Sequence, residues 1–426
     1  MTQPPRSAVG NGTGIAGSIA IASLIAWAMR TDMPIAMAAL VITFGGALVM
    51  ILWDVLVEKV HLRPSTGMDY SAPRDTREIL PIVGVKVLGL YATLGLIALI
   101  YMIVPVYSDE KFDLYFLLSR FVMPMFLALA PLYIFLVTRY MVEPRDKLWH
   151  FGRLLTGGRA EVDPAQVKDH ALGWAIKGFF LAFLGSIVVP VFGIVLIQDI
   201  ESVTEGLGPF FLFVLKFILL FDVAVGGLGY LMTFRPLDSH IRSANPHLSA
   251  WVVALICYPP FVLMGKDGPL NYHEHTLNWS AWLEGMPTLL VVWGLALAAL
   301  TFLYSWATVI FGIRFSNLTH RGIVTTGPYR YFKHPAYLAK NSFWWLMVMP
   351  FLTTADDPMI ALRNCILLAA VNAVYYARAR TEELHLMADP NYRAYSEWIA
   401  EHGLLPRLRR RLTGRGPRDD VQIPAE

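Results

Sequence analysis

Residues 320–340 read HRGIVTTGPYRYFKHPAYLAK, a polar stretch set between two strongly apolar segments. It carries Arg321, Arg330, Lys333, His334 and Lys340, together with Gly327-Pro328, a turn signal. Pro335 suits the first turn of a helix, where its missing N–H costs nothing. A helix that starts there presents free backbone N–H groups and the positive end of its dipole to the preceding loop. Such a place suits the carboxylate or phosphate of a small charged ligand. A second stretch, residues 378–395, reads RARTEELHLMADPNYRAY and follows the last apolar segment. On a helix, Arg378 and Glu382 stand four residues apart on one face, with Glu383 beside them. Two charged stretches bracketing one apolar hairpin read as a cofactor site at a membrane face.

The motifs are Gly327 and Tyr329, then Lys333-His334-Pro335 and Tyr337, then Arg378 with Glu382-Glu383, and finally Tyr392 with Tyr395. In this order and spacing they resemble the C-terminal core of the isoprenylcysteine carboxyl methyltransferase family and its phospholipid-methyltransferase relatives. The resemblance covers about residues 314–406. Lys333 departs from the arginine usual there, and the long N-terminal extension departs further. The resemblance implies an enzyme that uses S-adenosylmethionine as cofactor and acts on a lipid or lipidated, isoprenylcysteine-like substrate. It places Gly327, Tyr329, His334, Pro335, Tyr337, Glu382 and Glu383 on the cofactor side. Arg378 falls at the reacting end with Glu382, as catalytic residues. Chemically, the helix start with His334 and Tyr329 can serve the cofactor's carboxylate or base, and the acidic pair its ammonium or ribose hydroxyls. Arg378 can hold a substrate carboxylate in a two-pronged pair or simply neutralise Glu382. If the nucleophile is an amine, Glu382 can take its proton.

These residues need a membrane frame, and the composition supplies one. Hydrophobic residues make up 56% of the 426, with mean hydropathy +0.50. Repeated apolar runs of about 20 residues match a hydrocarbon core about 30 Å thick. The fold class is therefore all-α, a polytopic integral membrane protein of about ten transmembrane helices, with membrane lipids as partners. A formal charge of +3, scattered along the chain, argues against nucleic acid. Cys257 and Cys365 both fall inside expected spans, so no disulfide framework is indicated. Arg outnumbers Lys 25 to 10, which leans towards a bacterial inner membrane.

Residues 1–12 read as a loose polar segment. Spans are expected at about 14–29, 33–53, 79–106, 114–142, 172–197, 209–234, 250–264, 286–313, 341–354 and 359–377. The seventh is short and broken by Pro259-Pro260, and the short ninth suggests a hairpin that does not fully cross, or crosses with the help of the loop before it. The first lacks a preceding basic region and a cleavage site, so it reads as half of an uncleaved hairpin. Trp149 and Phe151, in the long 143–171 loop, are expected at the membrane interface. Alternate loops hold four, five, two and five Lys/Arg residues, and the tail from Arg378 holds nine. The opposite loops hold only Arg30, Lys111 and Lys266. The positive-inside rule places both termini, and both halves of the site, in the cytoplasm. Residues 1–285 thus form a seven-span membrane region acting as substrate cavity or scaffold. Residues 286–426 form a membrane core with the cofactor site and a cytoplasmic tail.

Other features carry plainer readings. His273-Glu274-His275 near Asp267 resembles a metal cluster, but the spacing is not the helical zinc pattern. No metal site is expected there. Asn278-Trp279-Ser280 is a glycosylation triplet of a kind that arises by chance. Arg407, Arg409, Arg410 and Arg411 suit contact with anionic headgroups. Lys86, Arg120, Lys177, Lys216, Asp222 and Arg363 lie in apolar runs, where ionisable groups face an interior or snorkel to the interface. Two alternatives compete with the methyltransferase reading. A sterol-reductase-like enzyme using NADPH shares this architecture, but its Asn-Tyr-Leu-Gly-Asp and Arg-Arg-Asp-Asp patterns read Ala336-Tyr337-Leu338-Ala339-Lys340 and Arg380-Thr381-Glu382-Glu383 here. A transporter or scaffold would suit the N-terminal spans, which lack an evident repeat.

Overall fold

A computed structural model describes residues 3–198, 200–265 and 267–413 of the chain. Apolar runs fold into helices because backbone polar groups in hydrocarbon must be satisfied within their own segment. The order is α1 (Asn11–Ala28), α2 (Ile35–Leu56), α3 (Thr76–Ile103), α4 (Asp113–Tyr140), α5 (Lys147–Leu155), α6 (Pro164–Leu196), α7 (Ile200–Thr204) and α8 (Leu207–Leu231). There follow α9 (Leu248–Leu255), α10 (Trp279–Trp282), α11 (Pro287–Val309), α12 (Pro335–Val348), α13 (Pro358–Leu386), α14 (Pro390–His402) and α15 (Leu404–Thr413). Helix starts follow the sequence. Asp75, Asp146, Asp163, Asp357 and Asp389 each accept a backbone N–H at an N-cap, and the last three precede a proline at the first helical position. Among the described residues, eight helices are long and apolar enough to cross a membrane: α1, α2, α3, α4, α6, α8, α11 and α13. The all-α, polytopic membrane class expected from the sequence holds.

The other two expected spans are helices too short to cross alone. In place of 250–264 and 341–354 the chain forms α9, of 8 residues, and α12, of 14. At 1.5 Å per residue these reach about 12 and 21 Å, below a core of about 30 Å. The chain nonetheless changes sides at both. Contacts of α8 and α11 advance together, from Phe211 against Gly294 to Asp222 with Tyr304 and Gly229 against Phe315, so the two helices run parallel. The segment between them must return across the layer, and it does so through α9 and an irregular stretch. That stretch is packed inside protein: Cys257, Met264, Leu270 and Tyr272 lie against Val348, Leu368, Val371 and Tyr375. Non-helical backbone at membrane depth requires such cover. Likewise α12 ends at Met349, buried beside Phe211 and Trp279 at the far face, and α13 leads back.

At the near face, buried polar groups lock the site's supports. The guanidinium of Arg321 donates to the carbonyls of Gly229 (2.5 Å), Met232 (2.6 Å) and Ser239, capping the end of α8. Arg314 pairs with Asp54 at 2.8 Å, and Thr13 donates to the same carboxylate. A two-residue ladder, β1 (Ser243–Ala244) against β2 (Thr319–His320), joins the N-terminal bundle to the C-terminal part. The start of the chain is not loose. Ala8 N–H donates to Ile323 O at 2.8 Å, Thr325 N–H to Ser7 Oγ, and Thr325 Oγ1 to Pro5 O. Val9 is buried against Ile310 and Val324, an apolar anchor that outweighs the surrounding polarity. Trp149 is likewise buried on α5 rather than lying at an interface, and Phe151 stacks on His170.

Of the six ionisable residues in apolar runs, Lys86 meets Asp146 at 3.2 Å and Lys177 lies over Trp174. Arg363 pairs with Glu274 at the far face, and Asp222 accepts from Tyr304. Arg120 and Lys216 are exposed on the outside of their helices. Lys266, and the tail arginines beyond residue 413, lie outside the described residues.

Candidate active site

The site is a ladder between two helices. On α12, His334, Tyr337 and Lys340 recur every three residues and share a face. On α13, Glu382, Arg378 and Tyr375 answer them. The loop that feeds α12 is fixed by Gly327, whose φ of +57 is left-handed. A Cβ there would meet Ile310 at 3.0 Å, so glycine is required twice over. Pro335 opens α12 as expected, with His334 as its N-cap. Together these elements enclose a cavity of about 170 Å³, lined by Tyr329, His334, Tyr337, Arg378, Glu382 and Tyr395 among others.

The two glutamates have different surroundings. Glu383 is saturated: His334 Nε2 (2.8 Å) and Lys333 Nζ (2.9 Å) reach Oε1, and Arg380 (2.8 Å) reaches Oε2. It ties the start of α12 to α13. Glu382 forms no ion pair among the described residues and accepts one hydrogen bond, from Tyr337 OH at 3.2 Å. Its open carboxylate lines the cavity.

Arg378 is only 6% exposed and has no carboxylate within ion-pair reach among the described residues. Its guanidinium lies over the rings of Tyr375 (5.2 Å), Tyr258 and Tyr337 (both 5.5 Å). One Nη2 donates to Asn317 Oδ1 (3.2 Å) and, at 3.5 Å, to Tyr258 OH. The plain Arg378–Glu382 helix pair is not formed. Instead a buried cation and an open anion stand one helical turn apart, and both face the cavity.

Tyrosines complete the wall. Tyr395 OH donates to Tyr329 O at 2.8 Å, and Tyr329 OH to Ala307 O at 3.3 Å. Tyr392, Tyr395 and Trp398 of α14 pack with Ile323 as a cap over the near face. Burial, and next the charge of Glu382, push the phenols of Tyr329, Tyr392 and Tyr395 well above the ordinary range. They stay neutral hydroxyls near neutrality.

Gly327, Tyr329, His334, Pro335, Tyr337, Arg378, Glu382 and Glu383 are therefore brought to one place. Sequence reasoning missed Tyr258, Asn317, Tyr304 and Tyr375. Tyr375 carried a usable signal, lying three residues before Arg378 on the same helix face. Tyr258 did not, because it arrives on an irregular segment from the N-terminal region. His273, Glu274 and His275 gather no metal-ligand set among the described residues.

What the arrangement can do follows from its charges. A zwitterionic ligand head finds a carboxylate for its ammonium and a helix start for its acid. An acidic substrate group finds a desolvated guanidinium with spare donors. No curated protein and no solved structure matches the chain. Residues 287–388, about a quarter of its length, match the Isoprenylcysteine carboxyl methyltransferase (ICMT) family, the matched segment running from the start of α11 to just past α13. The C-terminal region of this integral membrane protein is thus similar to a family of membrane methyltransferases of the isoprenylcysteine type.

Proposed function

We propose that the chain is a methyltransferase that uses S-adenosylmethionine to methylate the acidic head of a lipid or lipidated substrate at the cytoplasmic face. The observation that carries this reading is the pairing of a buried, carboxylate-free Arg378 with an open Glu382 one turn away. The cofactor would supply an electrophilic methyl group on a sulfonium. Glu382 would receive its ammonium, and Tyr337, which already donates to Glu382, would hold that carboxylate in place. The N–H groups at the start of α12 and the hydroxyl of Tyr329 would take its carboxylate or base. Glu383 positions rather than binds, because both its oxygens are already engaged. Arg378 would hold the acceptor carboxylate in line, and much of the rate would come from that placement.

The near face carries the basic loops, which is why it is assigned to the cytoplasm. Tyr258 and Asn245 of the N-terminal region line the same cavity, which supports a substrate-shaping role for residues 1–285 beside a cofactor core in 286–426. Calorimetry on detergent-purified protein tests the reading. S-adenosylmethionine should bind and NADPH should not; NADPH binding in its place would replace this function with a reductase.

A further inference from the structure

Lys340 lies one helical turn deeper in the layer than Tyr337. Its ammonium sits over three rings, those of Tyr375 (5.2 Å), Trp344 (5.3 Å) and Tyr304 (5.4 Å). Aromatic faces stabilise a cation but leave its N–H donors free. Among the described residues Lys340 makes no ion pair within 4 Å; Asp222, on α8 behind Tyr304, is near enough to feel its charge but accepts from the Tyr304 hydroxyl at 3.2 Å and takes none of the ammonium donors. Lys340 lines the same cavity as Arg378. The Tyr375 ring lies 5.2 Å from each charge, so twice that distance bounds their separation. A ligand with one carboxylate, held by Arg378, would leave three ammonium donors without an acceptor at membrane depth, which is costly.

We infer that the acceptor substrate carries a second anionic group, a carboxylate or phosphate a few bonds from the one that is methylated, and that Lys340 selects it. This deepens the methyltransferase reading and takes its acceptor site from it. It also explains why the deep end of the cavity is polar although an aliphatic chain must pass nearby. A substrate whose acid is attached directly to an unbroken hydrocarbon would meet Lys340 with nothing to offer it.

The test uses full-length protein in detergent, with no methyl donor present, and amphiphiles of matched tail. N-lauroylglutamate carries two carboxylates, N-lauroyl-O-phosphoserine a carboxylate and a phosphate, and N-lauroylglycine one carboxylate. Wild type should bind the favoured dianion about tenfold more tightly than N-lauroylglycine, equivalent to about 1.4 kcal/mol. Lys340→Met should bring that ligand to the level of N-lauroylglycine, Lys340→Arg should keep the preference, and Arg378→Met should weaken all three. Whichever of N-lauroylglutamate and N-lauroyl-O-phosphoserine loses affinity in Lys340→Met names the group. Equal binding of one and two charges by wild type, or a preference that survives Lys340→Met in a folded protein, would overturn the inference. Neither result touches cofactor binding, whose failure would refute methyl transfer alone.

Discussion

Glu382→Gln and Glu383→Gln are the same chemical change at adjacent positions, and the structure assigns them opposite signatures. Glu382 has one protein partner, the Tyr337 hydroxyl, and a glutamine can keep that bond. The loss is therefore confined to the charge offered to the ligand ammonium. A hydrogen bond to a charged group is worth about 1.5–3 kcal/mol, or roughly tenfold to a hundredfold in Kd. Thermal stability should barely move. Glu383 holds Lys333, Arg380 and His334, but Arg380 is 59% exposed and its pair contributes about 0–1 kcal/mol at most. The half-buried contacts with His334 and Lys333 remain, and an amide replaces only part of them. Glu383→Gln should lower the unfolding temperature and loosen the start of α12, so cofactor affinity falls as a secondary effect. Titration of S-adenosylmethionine by calorimetry, beside thermal unfolding of the same samples, separates the two. Glu382→Gln binding the cofactor within twofold of wild type would refute its placement as the ammonium partner. Unchanged stability in Glu383→Gln would refute the tie between α12 and α13.

Three further outcomes are expected. Gly327→Ala should weaken cofactor binding at least tenfold and cost stability, since the backbone is left-handed and Ile310 stands in the way; unchanged binding would show that the loop does not shape the site. His240 is held down to about 2 from 6.5 by burial and then by Arg235, Arg242, Lys147 and Arg321. The unfolded chain takes up a proton below about pH 6.5 that the folded chain refuses, so this contribution is complete above that pH and fades as pH falls towards 2. His240→Asn should make the loss of unfolding temperature between pH 7.5 and 5.5 shallower, and an identical slope would speak against it. Single cysteines at Arg159 and Glu205 should be labelled from opposite sides of the membrane, Arg159 from the cytoplasm; labelling of both from one side would end the topology argument.

How much of this was legible depends on what kind of force fixes each part. Eight of the expected spans, the helix start at Pro335, and the proximity of His334, Arg378 and the glutamates followed from local pattern and spacing. Of the two short passes only the shortness was visible, in Pro259-Pro260 and the brief 341–354 run, and not how the chain completes them. Residues 250–264 are apolar enough for a helix, but past α9 their backbone closes local turns, such as Leu263 N–H to Ile256 O, under the cover of apolar side chains far along the chain, around Leu368. The Arg378 environment was equally hidden. Spacing offered Glu382 as its partner, and tertiary packing gave it Asn317 and three tyrosines instead. Residues 5–9 looked disposable because their composition is polar, and only the pairing with 323–325 explains them.

That pairing reaches beyond the site. Ser7 and Thr326 are 319 residues apart, and Val9 and Thr326 are 317 apart, yet each pair is joined by a hydrogen bond. During synthesis residues 5–9 must wait, unpaired, while eight hydrophobic passes are threaded into the bilayer ahead of their partner. The loop bearing Gly327 closes only when both ends of the transmembrane array have been delivered to one face. A chain released early therefore lacks a shaped cofactor loop, however well its first helices have inserted. The same arrangement makes residues 5–9 a poor place for a fusion: a bulky partner placed directly before residue 5 would press on the Gly327 loop.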